Sequence, residues 1–234
     1  MATEHRTVGR IIDILECAVR HPEGSTLADF VKQLDAPRST VHGFVNGLVA
    51  RGYLAELTQG TYVLGPGAQS FISSSSTPIR TYVEPAMRKI AVATGETVTL
   101  AVPMGSSLTY VHAIKSPRRI GYQPDLLVRR PWWPTSAGKI FLATGVVGGN
   151  IADVKVSLKR ERIEFEEEIE NVRIRQYATN VGETEADVAA VAVAVTFGDE
   201  TIGSVTVGGP RHRVEPFLAD YSAVCLSSVQ DIEH

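Results

Sequence analysis

Two short stretches of the chain carry side chains whose types and spacing could do chemistry, and the first pairs a serine with a lysine. Ser136 and Lys139 form a Ser-x-x-Lys pair in the segment TSAGK. At a helix start this spacing brings a hydroxyl next to an amine that could activate it for acyl transfer. The Ser-Asp-Asn and Lys-Thr-Gly elements that accompany such pairs are absent from the sequence. A second interpretation, which we favour, is that the free N–H groups of this helix start bind an anion or a carbonyl group.

The second stretch is a polar stripe on a helix predicted from about Pro37 to Arg51, with the proline at its first position. The apolar face of this helix has spacings of three and four residues and consists of Val41, Phe44, Val45, Leu48 and Val49. Small polar side chains repeat on a different face, and a DNA major groove accepts such side chains at a helix start. The predicted DNA contacts of this helix are Arg38, Ser39, Thr40, His42, Gly43 and Asn46.

The elements around that helix predict a winged helix-turn-helix in residues 1–65. A helix over about residues 7–20 precedes a second helix, which a capping box of Thr26 and Asp29 opens. A hairpin over about residues 53–64 follows, and its Gln59 and Thr61 would lie beside a phosphate backbone. Three helices alone could form a dimerisation bundle, but the added hairpin favours DNA binding.

Charge limits how such a domain could bind DNA. The whole chain has a net charge of −3 and a pI of about 6.1, so it has no global cationic field. Residues 1–65 carry six Lys and Arg residues and seven Asp and Glu residues. Non-specific affinity for phosphate should therefore be modest and strongly salt-sensitive, with Arg38 as the most obvious phosphate contact.

A change of composition marks a domain boundary after residue 65. The segment Gly65–Gly67 and the serine run at residues 73–76 mark this boundary. Residues 66–77 are predicted to contain a linker helix. Residues 78–234 are predicted to form an α+β domain with a largely antiparallel sheet. Hairpins are expected at residues 97–115 and 188–208, longer helices at about 79–94, 165–175 and 215–231, and a short helix starting near Ser136.

The remaining composition excludes several classes of protein. Cys17 and Cys225 each lie among helical apolar residues, so buried thiols in a reducing cytosol are expected rather than a disulfide. The sequence has no apolar run of about 18 residues and no signal-peptide core, which indicates a cytoplasmic protein. None of the six histidines has metal-ligand spacing to a cysteine or carboxylate, so neither a metal nor a cofactor is expected.

Two adjacent tryptophans precede the helix that starts near Ser136. Trp132 and Trp133 could pack in a core or an interface. They could also form the wall of an apolar ligand pocket. The sequence leaves both interpretations open.

The order of these parts resembles the IclR family of bacterial transcriptional regulators along nearly the full chain. The resemblance is carried by STLADFVKQLDAPRSTVHGFVNGLVARGYL with the wing GTYVLG, then ATGETVTLAV, LTYVHAIKSP, PTSAGKIFLA, VRIRQYATNVGE and SVTVGGP. It implies an N-terminal winged helix-turn-helix, a linker helix and a C-terminal GAF-like effector-binding domain. It also implies homodimers, often paired into homotetramers, on palindromic or repeated DNA operators.

The resemblance further implies that a small organic acid binds between the sheet and the short helix. Ser136 and Ala137 would offer backbone N–H groups to the ligand, Val188 matches an apolar lining position and Thr206 a hydroxyl position. The complete set of expected effector-binding residues is Trp132, Trp133, Ser136, Ala137, Asn180, Val188, Ala190, Thr206 and Gly208.

Three of these positions depart from the family pattern. Asn180, Ala190 and Gly208 stand where the family usually has Asp, usually has Cys and can have Ser. The pocket is therefore expected to be roomier and less polar than the family pattern. With Trp132 and Trp133 expected at its mouth, a larger or aromatic acid fits better than one of two or three carbons.

The recognition helix also departs from the family pattern, because Gly43 stands where an Arg usually follows the His. Either the DNA approaches the backbone closely there, or the chain reads a divergent site. The resemblance implies a one-component regulator, more often a repressor. The rival functions are a sensor of the same architecture that does not bind DNA, and a serine hydrolase that uses Ser136 and Lys139.

Overall fold

The chain forms two compact units, residues 1–76 and 77–234. The structure is a computed structural model that describes residues 5–58, 60–68, 78–146 and 159–232. Most of the predicted linker helix, residues 66–77, lies outside the described residues; residues 66–68 are helical.

The first unit contains the three helices and the hairpin that the sequence predicts. Its elements are α1 (Arg6–Arg20), β1 (Ser25–Thr26), α2 (Leu27–Leu34), α3 (Arg38–Ala50), β2 (Leu54–Thr58) and β3 (Thr61–Leu64). The strands form a small antiparallel sheet in the order β1-β3-β2. Ile14, Phe30, Val41, Val45 and Leu54 are among the side chains buried between helices and sheet. This core fixes which face of α3 points outward.

Local hydrogen bonds define the ends of the two central helices. The predicted capping box is present, since Asp29 N donates to Thr26 Oγ1 (3.3 Å) and Thr26 N donates to Asp29 Oδ2 (2.8 Å). The Thr26 hydroxyl also donates to Asp29 Oδ2 (2.7 Å), and this bond together with the Thr26 N–H bond lowers the pKa of Asp29. The sequence predicts Pro37 at the first position of α3, but the helix begins at Arg38, one residue later. The Pro37 carbonyl accepts hydrogen bonds from Thr40 N and Val41 N, so this proline caps the helix.

The second unit has a six-stranded antiparallel sheet with helices on both faces. Its elements are α4 (Pro78–Thr94), β4 (Thr97–Met104), β5 (Ser107–Ile114), β6 (Arg129–Arg130), α5 (Ser136–Thr144), α6 (Lys159–Arg175), β7 (Tyr177–Val181), β8 (Val188–Phe197), β9 (Glu200–Pro210), α7 (Arg211–Val214) and α8 (Leu218–Gln230). The strand order is β6-β5-β4-β9-β8-β7. Both predicted hairpins are present, whereas β6 and β7 were not predicted.

The predicted last helix, residues 215–231, is interrupted in the structure. A short 3-10 turn at Glu215–Phe217 separates α7 from α8. Pro216 lies in that turn, and a proline lacks the N–H that a continuous helix needs. The C-terminal helix therefore begins three residues later than predicted.

The two faces of the sheet have different compositions. One face packs against α4 and α8 through large apolar side chains: Val98, Leu100, Val191, Val193, Val205 and Val207. The strand alternation places small or polar side chains on the other face, towards α5: Thr97, Thr99, Asn180, Ala190, Ala192, Thr206 and Gly208. We call these the outer face and the inner face of the sheet.

Three structural features concern the expectations for the cysteines, for membrane spans and for metal sites. Cys17 and Cys225 are both buried and free, and burial raises the pKa of the Cys225 thiol to about 12. Within the described ranges, no helix is long and apolar enough to cross a membrane. Across the same ranges, no group of three or more His, Cys, Asp or Glu residues is arranged to hold a metal ion.

Candidate ligand cavity and nucleic-acid interface

The exposed surface of α3 carries most of the predicted DNA contacts. Val41, Val45 and Leu48 are buried against α1 and α2, so the opposite face of α3 is open to solvent. The predicted contacts on that open face are Arg38, Ser39, His42, Gly43 and Asn46, while Thr40 is partly buried. This arrangement gives the helix one packed face and one polar face available to a partner.

A groove joins α3 to the start of α2 and to the hairpin. Arg38, Ser39 and His42 line it from α3, and Gly60 lines it from the turn between β2 and β3. Glu56 also faces this groove and accepts a hydrogen bond from Gly60 N at 2.7 Å. Thr61 is partly buried at the start of β3, and Gln59 lies outside the described residues. The groove thus brings the α3 residues next to the turn of the hairpin, with the Glu56 carboxylate in the same groove as Arg38.

Two glycines leave part of the exposed α3 surface flat. A Cβ atom added at Gly43 or Gly47 would meet nothing within 4 Å. Beside this strip, the side chains of His42 and Asn46 lie within hydrogen-bond distance, with Nδ1 and Nδ2 3.3 Å apart. Packing within the unit therefore does not require a glycine at position 43.

The start of α5 is built so that only glycine fits at one position. Thr135 caps the helix, and its Oγ1 accepts a hydrogen bond from Gly138 N at 3.1 Å. A Cβ atom at position 138 would overlap the carbonyl oxygen of Trp132. The N–H groups of Ser136 and Ala137, in the first turn, have no acceptor within the helix. They are the N–H groups that the sequence predicts for ligand binding.

A small cavity of about 30 Å³ lies between this helix start and the inner face of the sheet. It brings together five of the predicted effector-binding residues: Ser136, Asn180, Val188, Ala190 and Thr206. Its other lining residues were not predicted: Tyr110, Tyr122, Arg130, Thr135 and Thr184. Thr135 could have been found from its capping position before Ser-Ala-Gly, whereas Arg130 and Tyr122 belong to a long connection without periodicity. We call this cavity the inner cavity.

Four predicted residues do not line the inner cavity. Trp132 is buried edge-to-face against Phe141, with ring centroids 5.5 Å apart. Trp133 packs in the same way against Phe165 at 4.9 Å. Both indoles therefore contribute to a core, and the structure places neither at the mouth of the cavity. The other two residues are Ala137, which is fully buried in the same core, and Gly208.

The room expected at Gly208 is taken by an aromatic ring. A Cβ atom at position 208 would lie 3.2 Å from Cδ1 of Tyr122. The Tyr122 carbonyl accepts a hydrogen bond from Thr97 Oγ1 at 2.7 Å, which fixes the backbone of this residue to β4. The same ring borders a larger open cleft that Val188, Arg211 and neighbouring residues also line. We call this cleft the outer cleft. Tyr122 and Val188 line both the outer cleft and the inner cavity, so they separate the two spaces.

Asn180 uses its amide to hold the structure together. Its Nδ2 donates to the Pro134 carbonyl at 2.8 Å, and its Oδ1 accepts from Glu183 N at 3.3 Å. The first bond ties β7 to the segment that leads into α5. An ionised Asp could not donate to Pro134, so the amide has a structural reason at this position.

Lys139 is not available to activate Ser136. Its Nζ lies 2.8 Å from each carboxylate oxygen of Glu183 and donates to the Thr179 carbonyl at 2.8 Å. The side chain is 3% exposed, and a second carboxylate, Glu168, lies 3.7 Å away. A lysine that activates a serine needs a free amine lone pair, whereas Lys139 Nζ is engaged with Glu183 and the Thr179 carbonyl. The Ser-x-x-Lys pair is therefore a helix start next to an ion pair.

The two tyrosines of the cavity stay protonated at neutral pH. Burial raises the pKa of Tyr110 to about 12 and also raises the pKa of Tyr122. Both phenols can therefore donate a hydrogen bond to a ligand. The cavity combines hydroxyl donors, helix N–H groups and one guanidinium with the small apolar side chains Val188 and Ala190.

Known proteins resemble this chain in sequence and fold. Residues 7–57 match the IclR helix-turn-helix domain, and residues 72–233 match the bacterial transcriptional regulator IclR C-terminal domain. The HTH-type transcriptional regulator TtgV of Pseudomonas putida is 30% identical over 139 residues, which cover 59% of this chain and 54% of TtgV. The chain thus aligns with about half the length of that relative.

Solved structures resemble the whole chain. An IclR-family regulator from Rhodococcus sp. has a TM-score of 0.60 and 27% identity, covering 100% of this chain and 95% of that chain. An IclR homolog from Microbacterium hydrocarbonoxydans, solved with 4-hydroxybenzoate, has a TM-score of 0.69 and 20% identity, covering 93% and 98%. Both matched domains are those of bacterial transcriptional regulators of the IclR family. The chain belongs to the IclR family of bacterial transcriptional regulators.

Proposed function

We propose that the chain is a one-component repressor that binds operator DNA through α3 and the hairpin, under the control of a small organic acid in the inner cavity. The observation that carries this proposal is the inner cavity itself, formed where the small side chains of the sheet meet the start of α5. A helix N-terminus favours an anion, because its free N–H groups and its dipole both point at the ligand.

The proposed DNA contacts divide into two kinds. Arg38 contacts a phosphate, with Ser39, Thr40 and Thr61 beside it, and His42 and Asn46 read base edges in the major groove. Gln59 completes the proposed wing contacts. At Gly43, either the DNA approaches the α3 backbone closely or the operator differs from the family's usual site. Contacts between cations and phosphates weaken as salt rises, and Glu56 in the same groove lowers the affinity for phosphate further.

The proposed effector is an organic acid with an aromatic or comparably large apolar part. The bound 4-hydroxybenzoate of the Microbacterium homolog supports this class for a relative of the same fold. The inner cavity holds about 30 Å³, so an aromatic acid would have to displace the Tyr122 ring towards the outer cleft. Of the predicted contacts, Trp132, Trp133, Ala137 and Gly208 would act through this surrounding structure.

The proposed regulation depends on assembly in the cytoplasm. Two copies of α3 in a homodimer, or four in a homotetramer, would contact repeated half-sites of one operator. An effector that binds one arrangement of the copies more tightly shifts the population towards it and changes operator affinity.

A gel-shift titration with the DNA upstream of the chain's own gene tests the proposal. The wild-type chain should bind this DNA, and 4-hydroxybenzoate or another aromatic acid should change the affinity. Replacing Arg38 with Ala should weaken binding to every sequence and reduce the salt dependence. A chain that binds the acids but no DNA would instead be a sensor that does not bind DNA.

Substitutions at Gly43 distinguish the two explanations for the departure of this position from the family pattern. A Gly43→Arg side chain would meet open space and should strengthen binding if the operator resembles the family's usual site. A Gly43→Ala change should stabilise α3 by about 0.5–1 kcal/mol. If both changes weaken DNA binding while the fold is stabilised, close backbone approach is the better explanation.

A further inference from the structure

Two buried polar atoms without a protein partner belong to residues that line the inner cavity. Among the described residues, neither Arg130 Nε nor Thr206 Oγ1 has a hydrogen-bond partner. Thr206 is 4% exposed, so its hydroxyl cannot turn to bulk solvent. Buried polar atoms are nearly always hydrogen-bonded in folded proteins, and each exception needs a reason. A ligand that accepts hydrogen bonds from both residues would supply that reason.

The position of Arg130 distinguishes it from other arginines of this unit. Arg175, Arg211 and Arg213 each donate to a carboxylate. Arg130 instead lies on β6 opposite Leu108, and its guanidinium carbon lies 4.9 Å from the centre of the Tyr110 ring. Within the part of the chain that the structure describes, no carboxylate forms an ion pair with it. Its charge is therefore available inside the cavity.

The other donors around the cavity favour an anion of a particular shape. The Ser136 N–H group at the start of α5 and the Thr206 hydroxyl add two donors to the guanidinium. No acidic side chain is among the described residues that line the cavity. A planar guanidinium fork matches the two oxygens of a carboxylate, and a flat group suits the narrow space between the helix start and the sheet.

We propose that Arg130 is the specificity-determining residue that binds the carboxylate of the effector, with Thr206 Oγ1 as its second side-chain donor. This inference rests on the proposed function, because it identifies the group of the effector that the regulator recognises. Val188, Ala190 and the Tyr122 ring contact the remaining, apolar part of the ligand. A neutral analogue would leave the buried Nε of Arg130 and its charge without an anionic partner, so it binds more weakly than the acid.

Calorimetric titration of the full chain with matched acids and amides tests this. The probes are 4-hydroxybenzoate, benzoate and pyruvate, each paired with its primary amide, and inorganic phosphate as a non-planar anion. The wild type should bind at least one acid about tenfold to a hundredfold more tightly than its amide, as expected for a charge-assisted hydrogen-bond pair. Arg130→Met should remove most of that preference, and Thr206→Val should reduce it by a smaller factor.

Two controls separate recognition from folding. Arg129→Met removes the same charge from the neighbouring residue, which bonds to Met104 and Ser107, and should leave the acid preference unchanged. Arg130→Lys keeps the charge without the planar fork and should retain part of the preference. Thermal melting of each variant shows whether it is folded.

Four outcomes would overturn the inference: no acid binds, amides bind as well as acids, phosphate binds as well as the best acid, or Arg130→Met keeps the preference. A wild type that binds acids in this way but no upstream DNA contradicts the proposed function and leaves the assignment of Arg130 intact.

Discussion

The outer and inner faces of the six-stranded sheet come from the same strands but do different work. On β9, Val205 and Val207 point to the outer face and Thr206 and Gly208 to the inner face. The outer face is filled by valine and leucine side chains against two long helices. The inner face carries alanine, threonine and glycine, which are too small to fill the space under the start of α5. Strand alternation thus produces a valine- and leucine-rich core on one side and, on the other, a surface of small side chains that leaves room for a cavity.

The comparison also concerns polar atoms. The strand side chains of the outer face are valine and leucine, whereas the inner face carries the buried Thr206 hydroxyl beside a cavity. Stability should therefore depend on the outer face and ligand binding on the inner face. Each of the following substitutions would sharpen or break that division.

The largest expected effect is at the outer face, from Leu100→Ala. Leu100 is fully buried, and its truncation leaves a cavity that should cost about 2–5 kcal/mol of unfolding free energy. Both tryptophans lie in the second unit, so urea unfolding followed by tryptophan fluorescence reports on this unit. A loss below about 1 kcal/mol would mean that the outer face can collapse around the change.

A second substitution tests the helix start that closes the inner cavity. Gly138→Ala would place a methyl group against the Trp132 carbonyl, so the start of α5 must shift. The expected cost is about 1–3 kcal/mol of unfolding free energy, together with loss of acid binding in calorimetry. Gly105→Ala is the matched control. Alanine is strained there because φ is +62°, but its Cβ meets open space, so the variant should lose stability without losing acid binding. Unchanged acid binding in Gly138→Ala would contradict the role of this helix start.

The most direct contrast between the faces comes from single substitutions at two neighbouring residues of β9. Val205→Thr puts a hydroxyl into the apolar outer core and should cost about 1–3 kcal/mol. Thr206→Val removes a hydroxyl that has no partner among the described residues and should change the ligand-free stability by less than about 0.5 kcal/mol or raise it. Urea midpoints of the two variants measure both effects. Equal losses would show that the faces do not differ in this respect.

The smallest expected effect concerns the ring between the inner cavity and the outer cleft. Tyr122→Ala removes the ring that packs on Gly208 and joins the two spaces. Stopped-flow fluorescence should show a dissociation rate for 4-hydroxybenzoate raised by about tenfold or less, since one packed aromatic contact is lost. Tyr122→Phe keeps the ring and should dissociate at the wild-type rate. Equal rates for the alanine variant would place the entry path elsewhere.

Much of this division could be read from the sequence, because alternation along β4, β5, β8 and β9 is a local property. The capping box at Thr26 and the left-handed backbone at Gly52, where α3 ends, are local as well. The strand β6 was missed because two residues carry no period, and only pairing with Leu108 and Thr109 makes Arg129–Arg130 a strand. Local patterns therefore identified the sheet but not all of its edges.

The residues missed in the inner cavity are placed by long-range contacts. Tyr122 is held by the hydroxyl of Thr97, which is 25 residues earlier in the chain. The position of Arg130 is fixed by the pairing of β6 with β5, in which Arg130 lies opposite Leu108. The sequence alone leaves open whether the two tryptophans pack in a core or line a pocket. Their ring contacts with Phe141 and Phe165 place both in a core. Which side chains meet over such separations is decided by packing, which no local pattern encodes.

Operator binding measured with and without an aromatic acid, in the wild type and in Ala190→Leu, tests most directly that the inner cavity controls DNA binding. Ala190 lines the cavity, and a leucine there fills the space next to Val188 and Thr206. In the wild type, a saturating acid such as 4-hydroxybenzoate should change the operator Kd by about 5- to 150-fold, the usual range for coupled sites. In Ala190→Leu, operator binding should remain and the response to acid should disappear. An unchanged Kd in the wild type, or the same acid response in both proteins, would contradict the account.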